Sequence, residues 1–284
     1  KFKMNYSEEL LQFGAQKLKN AKIKSCVLDS ELILSHLLNL KREDLLVRKD
    51  IPIPNNIHKK FINFLDRRTR KEPVAYILNE REFWKHIFYV DKNTLIPRPE
   101  TELMIEKIIK YFKKSRPRIL DIGTGTGCII ISLLNELEYS RGVGIDPSKK
   151  ALSIAKRNAS KFKLNNRLRF FNQSIENFSA FGFDLIVSNP PYIARNQLKN
   201  LMDDVKNFEP KIALDGGNDG LDVIRKVIYK SKTILKYNGL LALEIGHGQY
   251  KKVSQILKNY KFREKFLIKD YRDNIRCVLS ISNK

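Results

Sequence analysis

Apolar positions change their rhythm twice along this chain, and the changes divide it into three. Over residues 1–75 they recur at helical spacing. Leu32, Ile33, His36, Leu37 and Leu40 fall along one side of a helix, and Ile57, Phe61, Phe64 and Leu65 form the stripe of another. Ser7, with Glu8 and Glu9 behind it, is placed to cap a first helix, and Asp29 to cap the second. Pro52 and Pro54 separate the second unit from the third, which ends near Arg67, Arg68 and Arg70. The pattern predicts a small helical bundle, with His36 packed into its core. Residues 76–97 instead alternate aromatics (Phe83, Trp84, Phe88, Tyr89), which predicts a hairpin or connector.

Residues 98–284 read differently again. Thr101 is placed to cap a helix starting at Glu102, and from Arg118 short apolar runs alternate with helical stripes. Strands are predicted at 118–122, 142–145, 168–171, 185–187, 240–245, 266–268 and 277–281. Helices are predicted at 128–137, after Ser148 as far as Leu164, at 220–235 and at 249–259. This β-α alternation predicts an α/β fold, a seven-stranded and mostly parallel Rossmann-like sheet preceded by the helical bundle. Ligands of such sheets sit beyond the strand C-termini, near the switch in strand order. Asp121, the run Gly123-Thr-Gly-Thr-Gly127, Asp146 and Asn189 all fall at strand C-terminal ends, so one crevice is expected to hold them.

The stretch Asp184 to Ile193 carries the sharpest chemical signal. A buried strand, Leu185–Val187, stops at Asn189-Pro190-Pro191, where two prolines fix the backbone and withhold their N–H groups, and Tyr192 follows. That corner suits a planar, weakly nucleophilic NH2 group. The Asn189 side-chain oxygen and the Pro190 carbonyl can accept its two hydrogens and favour the positive charge that develops on nitrogen. Tyr192 offers a face for stacking. Asn-Pro alone is a common turn signal; closing a buried strand as Asn-Pro-Pro-Tyr, it points to a site.

Composition narrows the setting. With 284 residues, 42% of them hydrophobic and 30% charged, the chain has ample material for a globular core. No apolar run approaches the roughly eighteen residues of a membrane span, and Lys1 to Asn20 lacks the apolar core of a signal peptide. Three scattered cysteines suit a reduced, cytoplasmic setting, and four histidines without ligand spacing predict no metal site. The net charge of +23 invites a nucleic-acid partner. Lysines nevertheless outnumber arginines two to one and are spread along the whole chain, so charge does not decide the matter.

The glycine run departs from the G-x-G-x-x-G fingerprint of dinucleotide sites, because Cys128 stands where the third glycine belongs. No nucleoside-triphosphate loop is present either. Asp146 follows the run by about twenty residues at a strand end, the place from which a carboxylate accepts ribose hydroxyls. A compact glycine turn with Asp121 and Asp146 beside it suits a cationic sulfonium nucleoside, S-adenosylmethionine, better than a polyphosphate.

The pair GTGTG and NPPY is similar to class I S-adenosylmethionine-dependent methyltransferases of the amino-group type. More closely, five motifs together resemble the HemK/PrmC family of peptide chain release factor N5-glutamine methyltransferases. They are Arg81-Glu-Phe-Trp84, Leu95-Ile-Pro-Arg-Pro-Glu-Thr-Glu102, Asn189-Pro-Pro-Tyr-Ile193, Glu209-Pro210 with Ala213-Leu214, and Glu244-Ile-Gly246. The resemblance spans nearly the whole chain. It implies methyl transfer to the side-chain amide nitrogen of the glutamine in the Gly-Gly-Gln loop of class I release factors, with S-adenosylhomocysteine as product and the helical domain docking the protein substrate. By position it implies that Gly123, Thr124, Gly125, Thr126, Gly127, Asp146, Ser174 and Asn189 hold the cofactor. Asn189, Pro190, Pro191 and Tyr192 would hold the glutamine amide, with Asn189, Pro190 and Tyr192 in catalysis. A monomeric, cytoplasmic enzyme that needs no nucleic acid is expected. One departure stands out: where the family often has an acidic residue followed by an aromatic near the adenine, this chain has Gln173-Ser174, so an altered adenine contact is expected. Two other readings stay open at this point: an adenine exocyclic-amine methyltransferase acting on DNA or RNA with a flipped base, and a helical adaptor with an inert catalytic half.

Overall fold

The computed structural model describes residues 6–48 and 50–283. Residues 1–5, where the expected helical unit begins, lie outside the described residues. The chain divides into two units, Lys1–Asn79 with Met202–Phe208, and Glu80–Leu201 with Glu209–Lys284.

The first unit is built from α1 (Ser7–Asn20), α2 (Cys26–Leu38), α3 (Arg42–Val47), α4 (Asn55–Thr69) and α5 (Val74–Leu78). Leu10 and Leu18 of α1, Ile33 and Leu34 of α2, and Phe61 and Leu65 of α4 make its buried core. Gly14 shows how closely these helices approach: a Cβ there would lie 2.4 Å from Ser30 Oγ and 2.8 Å from a Phe61 ring carbon. A mid-helix glycine costs about 1 kcal/mol against alanine, and here the close approach explains it. Two expected caps are reassigned. Ser7 is already the first helical residue and its hydroxyl donates to the Arg48 carbonyl at 3.2 Å. Asp29 lies inside the first turn of α2, buried, where it accepts from Arg68 Nε at 2.7 Å and from the Ser25 hydroxyl at 2.8 Å. Both side chains found tertiary partners that outcompete a local amide. His36 is half-buried on α2, and the short helices α3 and α5 carry too few turns to show a period.

The second unit opens with a hairpin, β1 (Glu80–Phe83) and β2 (His86–Tyr89), paired antiparallel, in which Phe83 and Phe88 are buried edge to face at 6.1 Å. Helix α6 (Pro99–Phe112) leads into the sheet. Its strands are β3 (Arg118–Ile122), β4 (Arg141–Ile145), β5 (Leu168–Phe171), β6 (Phe183–Ser188), β7 (Leu235–Glu244), β8 (Phe262–Lys269) and β9 (Ile275–Ser282). Helices α7 (Cys128–Glu136), α8 (Lys149–Lys161), α10 (Asp222–Ile234) and α11 (Tyr250–Asn259) connect them, and α9 (Asp203–Phe208) falls in the segment grouped with the first unit. The spatial order is β5-β4-β3-β6-β7-β9-β8; the first five are parallel, and β9 runs antiparallel to both β7 and β8. The expected seven-stranded, mostly parallel sheet is present.

Side chains alternate between its faces with the period of a strand. Ile119, Leu185, Val187 and Leu240 pack with Ile105 and Ile108 of α6 and Leu133 of α7. Their neighbours Leu120, Ile186 and Leu241 pack on the other face with Val227 of α10 and Leu257 of α11. Both faces are therefore covered, which is why these strands read as continuous apolar runs. Succession from β3 to β4 to β5 moves outward in one direction, and β6 returns to the opposite side of β3. Order reverses between β3 and β6, so the crevice opens beyond their C-terminal ends.

Candidate active site

Beyond β3 the chain turns through three glycines in left-handed conformations, Gly123 at φ 72°, Gly125 at 55° and Gly127 at 79°. Side chains disfavour that region, which explains glycine at alternate positions. The turn is stitched to β4: Gly123 N and Thr124 N both donate to the Ile145 carbonyl, at 2.9 and 3.1 Å. Gly127 caps α7 and abuts its first turn, since a Cβ there would lie 2.9 Å from an Ile131 methyl. A Cβ on Gly123 would meet nothing within 4 Å, so glycine at that position keeps space open beside the turn.

Asp146 directly follows β4 and faces the turn. Its Oδ2 accepts from Gly125 N at 3.0 Å and its Oδ1 from Ser148 N at 2.8 Å. Ser148 caps α8 as expected, accepting from Ala151 N. Burial raises the Asp146 carboxyl above its ordinary range, while the two amide donors oppose that shift. Each oxygen keeps a second lone pair for hydroxyl donors. Asp121 behaves otherwise. It is fully buried beneath the turn and does not line the cavity; its Oδ2 accepts from the Thr124 hydroxyl at 2.7 Å, and its Oδ1 has no partner among the described residues. Burial pushes its carboxyl up to about 7. Of the two acids expected in the crevice, only Asp146 reaches it.

A cavity of about 250 Å3 lies over these strand ends. Gly123 to Thr126, Asp146, Ser174, Asn189, Pro190 and Pro191 all line it; Gly127 and Tyr192 do not. Ile175 and Glu176 follow Ser174 into the wall, with Glu176 paired to Lys226 of α10 at 2.6 Å. The apolar surface missing at Ser174 is thus partly supplied by the next residue, which nothing in the sequence spacing marks out.

Another part of the wall comes from the stiff segment before α6 and from that helix's first turn. Pro97, Arg98 and Thr101 line the cavity. Buried Glu209 holds this segment, accepting from Arg98 at 2.6 Å and from Ile96 N at 3.2 Å. Thr101 is not a cap, because α6 already begins at Pro99; its hydroxyl donates instead to Glu244 Oε2 at 2.5 Å. Asn189 Nδ2 donates to the same Thr101 oxygen at 3.3 Å. Glu244 is fully buried at the end of β7. Burial raises its carboxyl, against the Thr101 hydrogen bond and the nearby Arg276 charge.

Tyr192 is held by its hydroxyl. Its hydroxyl donates to Glu244 Oε1 at 3.4 Å and accepts from Arg276 at 3.3 Å, and the guanidinium lies 5.7 Å from the ring centroid. Its carbonyl accepts from Gln249 Nε2 at 2.9 Å. Burial, then the Glu244 charge, pushes its phenol up to about 12. A buried carboxylate and a cation hold the hydroxyl end of the ring, Tyr192 is not among the residues that line the cavity, and Leu95, Pro191 and Ile212 contribute apolar wall.

These residues fit S-adenosylmethionine. The glycine turn leaves room beside it, Asp146 is a well-oriented hydrogen-bond acceptor next to that turn, and among the described residues that line the cavity the only Lys or Arg side chains are Arg98 and Lys226, too few to suit a polyphosphate. Among the described residues no group of three or more His, Cys, Asp or Glu could hold a metal ion, and no helix is long and apolar enough to cross a membrane.

Comparison with known proteins agrees with this geometry. A model of PrmC N-terminal domains matches residues 9–78 and a methyltransferase-domain model matches residues 113–275. The release factor glutamine methyltransferase of Caulobacter vibrioides is 34% identical, over 94% of this chain and 93% of its own length. That of Buchnera aphidicola is 38% identical, over 88% of this chain and 90% of its own. Among solved structures, the hMettl16 catalytic domain in complex with MAT2A 3'UTR hairpin 6 shares the fold at a TM-score of 0.55, covering 83% of this chain and 85% of that one at 15% identity. The chain belongs to the release factor glutamine methyltransferase family.

Proposed function

We propose that this protein transfers a methyl group from S-adenosylmethionine to the side-chain amide nitrogen of the glutamine in the Gly-Gly-Gln loop of peptide chain release factors. The observation that supports this most is the shared cavity: Asn189, Pro190 and Pro191 line it together with the glycine turn and Asp146. When bound, the cofactor supplies an electrophilic methyl carbon on a sulfonium. The chain's own residues supply aim. Asp146 would receive ribose hydroxyls, and the turn from Gly123 to Thr126 would hold the nucleoside. Asn189 Oδ1 and the Pro190 carbonyl accept the two hydrogens of the acceptor amide, turning the nitrogen toward the methyl group and favouring its developing positive charge. No strong base is needed, because the nitrogen attacks before it loses a proton. Pro190 and Pro191 keep the corner stiff, and the apolar wall excludes water. Tyr192 acts from behind the corner, as a support.

In this reading residues 1–75 form a helical substrate-docking domain, 76–97 a connector and 98–284 the methyltransferase domain; the match of the first part to PrmC N-terminal domains supports it. Ser174 contacts the adenosine end, and the protein works as a cytoplasmic monomer.

Methyl-labelled cofactor offered with a class I release factor, and separately with DNA or RNA, tests the proposal. Label in the release factor is the expected result. Label confined to nucleic acid would transfer the same corner to an adenine amine and refute the assignment.

A further inference from the structure

We propose that Thr101 and Glu244 are positioning residues of this reaction, which fix the end of the Asn189 amide that faces the cavity. The inference rests on the glutamine-methylating reading above. A side-chain amide has one accepting end and one donating end, related by a half-turn of nearly equal shape. Only the oxygen can receive the hydrogens of a substrate amide; with Nδ2 inward, Asn189 would offer donors to donors. Something must therefore choose between the two orientations.

The choice is made by polarity passed along two hydrogen bonds. As a carboxylate, the form that the Thr101 hydrogen bond and the Arg276 charge favour against burial, Glu244 can only accept. Its Oε2 takes the Thr101 proton at 2.5 Å, so the Thr101 oxygen is left with lone pairs for its remaining neighbour. That neighbour is Asn189, which must present Nδ2, as it does at 3.3 Å. Oδ1 is thereby released: it forms no hydrogen bond among the described residues, and Asn189 lines the cavity. Glu244 is itself locked. It is completely buried, its Oε1 accepts from Tyr192 at 3.4 Å, and Arg276 on β9 donates to that same phenol. Groups from α6, from the corner after β6, from β7 and from β9 thus converge on the orientation of one amide. Neither Thr101 nor Glu244 needs to touch a reacting atom for this.

The test compares Thr101→Val, which keeps the shape and deletes the hydroxyl, with Thr101→Ser, which keeps the hydroxyl. Methylation of a release factor is measured in the full chain, and binding of S-adenosylmethionine is measured by calorimetry as a check that the site is folded. Thr101→Val is expected to lower kcat on the order of 10–100-fold, with the cofactor Kd and the KM for release factor nearly unchanged, because the release factor still docks while its glutamine amide meets a misoriented Asn189. Thr101→Ser is expected to restore most of the rate. A Thr101→Val enzyme as fast as the parent overturns the inference, and so does equal loss in both variants, which would trace the effect to packing. If the parent enzyme labels no release factor at all, the functional reading itself fails and takes this inference with it.

Discussion

Gly125 N donates to Asp146 Oδ2 at 3.0 Å, joining the turn after β3 to the carboxylate at the end of β4. One backbone amide thereby fixes a carboxylate that has lone pairs to spare, and two features of the cavity wall are held in a single arrangement.

From this relationship Asp146→Ala is expected to weaken S-adenosylmethionine binding by roughly 10–100-fold, the loss of one or two charge-assisted hydrogen bonds. Titration calorimetry measures it directly. An unaltered dissociation constant would count against the ribose role.

Asn189→Ala separates the other half of the site. Turnover is expected to fall on the order of 100-fold, as when a group aimed at developing charge is removed. Cofactor affinity should change far less, because the main contacts to the nucleoside lie elsewhere. Steady-state kinetics beside calorimetry reads the contrast, and undiminished turnover would refute the orienting role.

A pH signature is expected from Asp121, whose carboxyl burial pushes up to about 7 from an ordinary 3.8. A raised carboxyl holds its proton more tightly in the folded chain. Its contribution to stability is therefore complete below 3.8 and is lost as pH climbs through about 7. Asp121→Asn keeps an oxygen for the Thr124 hydroxyl and never ionises. The stability advantage of this variant over the parent should grow across that window and level off above it. Urea unfolding at several pH values checks this, and a gap independent of pH would contradict it.

In the helical unit, Arg68 and Asp29 form a buried ion pair at 2.7 Å. Removing one member strands the other, which costs about 3 kcal/mol or more in buried pairs. Arg68→Ala is expected to lower the unfolding midpoint of that unit markedly, read by urea titration. A change within about 0.5 kcal/mol, the range of ordinary surface substitutions, would show the pair to be unimportant.

Much of this was legible because strands buried on both faces and helices with one apolar stripe announce themselves by period. The ends of β3, β4 and β5 fell at Ile122, Ile145 and Phe171 as expected, and the residues at strand ends largely converge on one cavity. What spacing could not carry is the choice of partner for a polar side chain. Ser7, Asp29 and Thr101 each read as a helix cap, and each instead serves a group remote in sequence; for Thr101 that group, Glu244, is 143 residues away. Glu209 reaches back 111 residues to Arg98 by the same kind of relation. Asp121 misled for a related reason: position at a strand end does not say whether a side chain turns toward the crevice or into the protein. Its carboxylate turns inward, where the Thr124 hydroxyl holds it.

The most direct measurement is mass spectrometry of a class I release factor after incubation with the protein and S-adenosylmethionine, with fragmentation to locate the change. The Gly-Gly-Gln peptide should gain the mass of one methylene on the glutamine side chain, and should fail to gain it with Asn189→Ala. An unmodified glutamine after reaction with the parent protein, or added mass placed only elsewhere, would contradict the assignment.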